Sequence, residues 1–351
     1  MHPVEGLLRQ LVAAPSPSTE EGPAVAVMAQ WLGGSHAFPP HRIFQADRNI
    51  AAMRHGSEAG PTLLLCSHLD TVPATASWTR PPWEPTREGT RLYGLGANDA
   101  KGCVAAMTLA FLSTPIKRGQ LVLAATCEEE TGRNGLEVFL RSLPAPDHAI
   151  VGEPTGMQVA VAQNGMLILE CIAAGRAGHA ARPHLADNAL SRAARDIVRI
   201  DQLSLEKQHP MAGGTTKAVT VIQAGNRHNV IPDRCQFTVD LRTTAAYSHP
   251  ELVGIFRALL ESDVTIRSDR FHPVETPPAS ALLQAALKAN PAAKTFSSPT
   301  LSDWAHLRGV DAIKWGPGYS EVSHTADEWV EVPMVEQAVE MYASVIAEIL
   351  G

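Results

Sequence analysis

PTLLLCSHLDTVP, residues 61–73, is an apolar run that stops at a histidine and a carboxylate. Leu63–Cys66 has no polar interruption, as a strand covered on both faces requires. His68 and Asp70 follow where that strand would leave its sheet. The pattern recurs twice. LVLAATCEEETG (121–132) runs into Glu128, Glu129 and Glu130, and AIVGEPT (149–155) runs into Glu153. KGCVAAMTLAF (101–111) and Asn134–Leu140 read as the intervening helices. Strand–helix–strand order with apolar strands predicts an α/β fold, a mainly parallel sheet flanked by helices. Open parallel sheets gather functional side chains at the carboxyl ends of their strands, so these acidic and histidine positions converge although they are distant in sequence.

Outward from that core, Thr19 is expected to cap a helix over Ala24–Leu32, with Glu20 and Glu21 in its first turn and Gly33 past its end. The middle of the chain changes character. Met166–Ala173, Lys217–Ala224 and Cys235–Leu241 read as strands, and Asp187–Ile200 and Pro250–Leu260 as helices. This is a compact α+β insert, placed at 163–269, which splits a catalytic domain into 1–162 and 270–351. The chain closes with an amphipathic helix, Met334–Leu350, whose stripe is Val335, Val339, Tyr342, Val345, Ile346 and Ile349.

Composition narrows the function. The 351 residues favour two domains. Net charge is 29 − 36 = −7, against the basic face a nucleic-acid binder needs. Five cysteines (66, 103, 127, 171, 235) show neither CxxC nor CxxH spacing, so a reducing, cytoplasmic setting is expected. MHPVEGLLRQL lacks the charged and apolar regions of a signal peptide, and no apolar run approaches the roughly 20 residues of a membrane span. GLGAND lacks the third glycine of a dinucleotide loop, no GxSxG is present, and Pro183 breaks helical spacing between His179 and His184.

Two divalent metals need about one imidazole each, one further carboxylate each, and one carboxylate shared. His68, Asp99 in GLGANDAKG (94–102), the triplet Glu128–Glu130, Glu153, and His324 in SHTADEW (323–329) supply that set. Zinc takes such nitrogen and oxygen donors readily. Each motif alone has an ordinary reading, as a loop ion pair, a solvated acidic face or a helix cap. Their joint occurrence points to a metal-dependent hydrolase.

SHLDTVP, GxxDxKG, EEETGxxG, GEPT and SHTADE, in this order over the whole length, resemble the dinuclear zinc aminoacylase/carboxypeptidase family. That family includes acetylornithine deacetylase, succinyl-diaminopimelate desuccinylase and glutamate carboxypeptidase. SPTLSDW and GPGYSEVSHTADE are most similar to the acylornithine, acylcitrulline and acyl-lysine deacetylases. The resemblance implies a zinc-exopeptidase-like catalytic domain, with the insert as lid and dimerisation domain of a homodimer. It implies two metal ions, zinc or cobalt: one on His68, Asp99 and Glu153, the other on Asp99, Glu130 and His324, with Asp99 bridging. Asp70 matches the carboxylate behind the first histidine, and Glu129 the general base. A register slipped by one would make Glu128 the base and Glu129 the ligand. His179 in GHAARPHLADNAL (178–190) matches a histidine supplied by the partner subunit, although Arg182 stands where relatives often carry an aromatic residue. Asn229 and Arg242 match substrate-contacting positions. Asp303 has two readings, a partner for a cationic substrate side chain or a helix cap for Trp304–Arg308. The expected substrate is a small N-acyl amino acid. A dipeptidase, an aminoacylase or a desuccinylase would use the same residues; a non-catalytic homologue would be expected to lack some.

Overall fold

The structure is a computed structural model that describes residues 2–34 and 41–351. In chain order it runs α1 (Pro3–Ala13), α2 (Gly22–Gly33), β1 (Arg42–Ala46), β2 (Asn49–His55), β3 (Glu58–His68), α3 (Gly102–Ser113), β4 (Arg118–Thr126), β5 (His148–Val151) and β6 (Val159–Gln163). An antiparallel segment follows: β7 (Gly165–Ala174), α4 (Ala189–Gln202), β8 (Thr216–Ala224), β9 (Arg234–Thr243), α5 (His249–Leu259) and β10 (Asp263–Phe271). The chain returns through α6 (Ala281–Ala289), β11 (Asp311–Lys314) and α7 (Val332–Leu350).

Two compact units result. The catalytic unit comprises 1–161, 275–296 and 302–351; the insert comprises 162–274 and 297–301. The insert therefore ends at Val274 and not at Asp269, and the short return at 297–301 was not anticipated. In the catalytic unit the strand order is β1-β2-β4-β3-β5-β11-β6. The centre, β4-β3-β5-β11, is parallel, and the pairs β1/β2, β2/β4 and β11/β6 are antiparallel. The sheet is mixed, with its parallel part where the apolar runs predicted it.

α3 is apolar on every side because it is buried on every side; Val104, Met107 and Phe111 are all in the core. Burying each such side chain is worth about 1.5–3 kcal/mol. α7 buries Val335, Tyr342, Val345, Ile346 and Ile349 on the expected stripe. α2 begins two residues before the predicted helix, after Glu21, with no side-chain cap. Thr19 instead lies in a turn at φ 81°. In the insert, β8-β9-β7-β10 form an antiparallel sheet over a separate core that includes Leu169, Phe237, Val239 and Phe256. β10 was missed from sequence because its pattern, DVTIRSDRF, is mostly exposed. Among the described residues no helix is long and apolar enough to cross a membrane, and all five cysteines are free and buried.

Candidate active site

The central strands end nearly level. His68 of β3 pairs across to Thr126 of β4, and Cys66 to Val151 of β5. The residues that follow each strand therefore emerge at one edge. His68 is buried, and its Nδ1 lies 2.9 Å from the backbone carbonyl of Asp70. A carbonyl only accepts, so Nδ1 carries the proton and Nε2 is left to face outward. Nε2 stands 3.2 Å from Asp99 Oδ1. The other Asp99 oxygen, Oδ2, stands 3.7 Å from His324 Nε2. Asp99 thus presents one oxygen to each histidine, the arrangement a bridging carboxylate requires. Glu130 Oε1 lies 2.9 Å from His324 Nε2. Donor atoms of His68, Asp99 and Glu130 fall within 4.8 Å of one another.

The three glutamates diverge. Glu128 adopts φ 51° and turns into an ion pair with Arg48, supported by Asn134 Nδ2 at 3.2 Å. Arg48 also holds Glu21 at 2.7 Å, and Glu21 accepts the Glu128 amide at 3.0 Å. Glu130 turns to His324. Glu129 lies between them, and its amide donates to Asp70 Oδ1 at 3.0 Å. Asp70 Oδ2 accepts from the Glu130 amide at 3.1 Å and the Ser18 hydroxyl at 2.7 Å. The Asp70 carboxylate thus holds the loop of the triplet and also stands 3.4 Å from His68 Nδ1, whose nearer partner is the Asp70 backbone carbonyl.

Electrostatically the site is overloaded with carboxylate. Burial, with the charges of Asp99 and Glu130, pushes Glu153 up to about 8, although Lys314 and His68 pull it down. Burial and the neighbouring Glu153 hold Glu129 well above the ordinary carboxylate range. The hydrogen bond to Glu130 raises His324 to about 9. Such a cluster either keeps extra protons or takes a cation. All donors are imidazole nitrogen or carboxylate oxygen, which suits zinc or another divalent ion of that class. The residues present fit a metal centre.

Two further groups, unassigned by the sequence reading, tie the segments that carry Asp99 and His324. Glu328 is 2% exposed. Its Oε1 accepts the amides of Asn98 (2.8 Å) and Asp99 (2.9 Å), and its Oε2 the amide of Gly96 (3.0 Å). Asn98 reaches back, donating to the Ser323 hydroxyl at 3.1 Å and accepting from the Tyr319 amide at 2.8 Å. The signal was present in the sequence, an acid four residues past His324 and an amide beside Asp99, but neither follows an apolar strand.

Of the remaining predicted residues, His179, Asn229 and Arg242 belong to the insert, whereas Asp303 belongs to the catalytic unit and its charge is felt by Glu129. His179 is exposed on a short strand of the insert, with Nδ1 accepting from the Ala181 amide at 3.1 Å. Its neighbour Val230 pairs across to it, which brings Asn229 alongside; the Asn229 carbonyl accepts from Ala180. Arg242 is exposed on β9, and its fork holds Asp240 of the same strand at 2.9 and 3.3 Å. Asp303, in the catalytic unit, is 5% exposed and accepts from the Thr126 hydroxyl at 2.9 Å. The cap of that short helical turn, Asp303–His306, is Ser302, so the capping reading of Asp303 is corrected by one residue.

Residues 64–348 match the description of peptidase family M20/M25/M40. The chain belongs to that family. Among curated members, an acetylornithine deacetylase of Myxococcus xanthus is 30% identical over 86% of this chain and 84% of its own length. A succinyl-diaminopimelate desuccinylase of Erythrobacter litoralis is 29% identical over 96% of both. Among solved members of like fold, aminopeptidase PepT of Bacillus cereus superposes with a TM-score of 0.80 at 19% identity, covering 99% of this chain and 98% of that one. The Bacillus subtilis YXEP protein, described as a dinuclear metal-binding peptidase, gives 0.76 at 16% identity over 98% and 96%. The likeness to these two is one of fold.

Proposed function

We propose that this M20-family hydrolase cleaves the amide of a small N-acyl-L-amino acid, of the acetylornithine, acetylcitrulline or acetyl-lysine kind. The observation that carries the reading is Asp99, with one oxygen toward His68 and one toward His324. His68, Asp99 and Glu153 would hold one divalent ion, and Asp99, Glu130 and His324 a second, zinc or cobalt. Bound there, the pair would supply the positive charge that acidifies a water and polarises an amide carbonyl.

The chain's own residues do the rest. With Glu128 paired to Arg48 and Glu130 to His324, Glu129 is the member of the triplet that takes the proton of the attacking water. It then delivers that proton to the leaving amine nitrogen. Asp70 fixes the loop on which Glu129 and Glu130 sit. His179 has Nδ1 engaged by Ala181 and offers Nε2 to the developing oxyanion. In the homodimer we envisage, it serves the partner subunit's centre. Arg242 exchanges Asp240 for the substrate carboxylate, with Asn229 beside His179 as a further contact. Asp303 is buried, so a cationic substrate group would interact with it only at a distance. Free, buried cysteines suit a cytoplasmic enzyme.

The test is a hydrolysis screen of acetyl- and succinyl-ornithine, -citrulline, -lysine and -diaminopimelate, before and after chelation and with zinc or cobalt restored. Acetyl-amino acids should turn over, with activity lost on chelation and regained with metal. Preference for a succinyl substrate would move the assignment to a desuccinylase. Full turnover after exhaustive demetallation would overturn the mechanism.

A further inference from the structure

We propose that Glu328 is a positioning residue for the metal centre: its carboxylate staples the Gly94–Asp99 loop to the segment that carries His324, and so sets Asp99 across both histidines. The inference rests on the metal-dependent reading above.

The segment around Glu328 grips the loop at several points. Its carboxylate takes three amides of the loop, those of Gly96, Asn98 and Asp99, and its backbone carbonyl takes that of Gly94 at 2.9 Å. Trp329–Glu331 then pairs with Arg91–Tyr93, extending the seam outward. Asn98 closes it from the other side through Tyr319 and Ser323. His324 is bracketed by these ties, with Ser323 just before it and Glu328 shortly after. At 3.7 Å, Asp99 Oδ2 and His324 Nε2 share no direct hydrogen bond, so this seam, together with the 2.9 Å contact of His324 with Glu130, sets their separation.

Chemistry explains why a carboxylate is needed. All three partners are N–H donors, and no donor on the side chain is wanted. Glutamine would place an NH₂ group against at least one of those amides. Aspartate keeps the charge but is one methylene short. Because Asp99 is the shared carboxylate, a disturbed loop should weaken both ions together. Losing a non-shared ligand should weaken mainly one. Partners standing behind metal ligands typically change affinity by about 10–100-fold.

A control lies in the same turn. Asp327 accepts three hydrogen bonds of its own, from the Thr79 amide and hydroxyl and the Arg80 amide, and none from the Asp99 loop. A merely structural role for this turn would make Asp327 and Glu328 equivalent.

The experiment is a calorimetric titration of zinc chloride into metal-free full-length protein, with circular dichroism to monitor the fold. Glu328→Gln should lose about 10–100-fold in affinity at both ions, Glu130→Gln chiefly at one, and Asp327→Asn at neither. Wild-type affinity in a folded Glu328→Gln variant, or an equal loss in Asp327→Asn, would overturn the proposal. Should Glu328→Gln not fold, Glu328→Asp replaces it with the same paired loss expected, and wild-type affinity there would overturn it equally. If the wild type binds no zinc, the metal-dependent reading itself fails, a result distinct from either.

Discussion

In the catalytic unit, Asp70 is fully buried and its two oxygens hold three donors; in the insert, Arg242 is exposed and its fork rests on Asp240, two residues away on the same strand. The same contrast separates His68, buried with its tautomer fixed, from His179, exposed with one nitrogen engaged. The first arrangement is built before any ligand arrives. His68 and the backbone that carries Asp99, Glu129 and Glu130 are held by hydrogen bonds from behind, which lowers the cost of assembling so many carboxylates. The second arrangement is unfinished by itself: a surface ion pair such as Arg242–Asp240 contributes about 0–1 kcal/mol and can be exchanged for a substrate carboxylate. On the proposed function, the contrast means that the chemistry is pre-organised in one unit and recognition is left adaptable in the other.

Substitutions in the two units should therefore fail in different ways. The largest effect is expected at Glu129. Glu129→Gln keeps shape and loses the proton acceptor, so kcat should fall by about 10²–10⁴-fold while bound zinc, measured by elemental analysis, is unchanged. A metal-depleted Glu129→Gln protein would place this residue among the ligands. Next comes His179→Ala, expected to lower kcat by about 10²–10³-fold, as loss of an oxyanion donor does, again without loss of zinc. Mixing it with Glu129→Ala tests the subunit assignment: exchanged dimers should recover activity, because one site then has both a base and a good histidine. If exchange is confirmed and activity stays absent, the histidine works within its own chain. Arg242→Ala should act on KM more than kcat, by about tenfold, the equivalent of roughly 1.4 kcal/mol. An effect on kcat alone would remove it from substrate binding.

The smallest expected effect concerns the insert's stability and not its chemistry. Asp196 is buried, which works to raise its carboxyl. Hydrogen bonds from Ser262, the Glu261 amide and Arg199 nonetheless hold it below the ordinary carboxylate value. A depressed carboxyl stabilises the fold above its unfolded-state pKa, and that contribution is lost as pH falls through the folded-state value. Asp196→Asn should cost about 1–3 kcal/mol near neutral pH, and the difference from wild type should shrink in acid. A gap in denaturation midpoint that stays constant with pH would contradict this account.

Much of the catalytic unit was legible because its signals are local. Apolar strands such as Leu63–Cys66 end abruptly at polar residues, and the level register of β3, β4 and β5 turns those ends into one site. The division of labour in the triplet was legible only through the family resemblance, which left a one-residue slip open. Three identical side chains in a row differ only through Arg48 and Asn134, which draw Glu128 away, and through His324, which takes Glu130. Glu328 escaped notice because its partners are backbone amides, which no residue pattern displays. β1, β2 and β10 escaped because strands at or near an edge tolerate the polar interruptions of RIFQADRNIAAMR and DVTIRSDRF. The end of the insert was misplaced for the same reason, since β10 runs on to Phe271.

The central claim is that the catalytic unit holds two metal ions with Glu129 as base and Glu130 as ligand. Counting zinc by native mass spectrometry in wild type, Glu129→Gln and Glu130→Gln tests it directly. The account predicts two ions in the wild type, two in Glu129→Gln and fewer in Glu130→Gln. A wild type that binds none, or a Glu129→Gln protein that loses metal while Glu130→Gln keeps both ions, would contradict it.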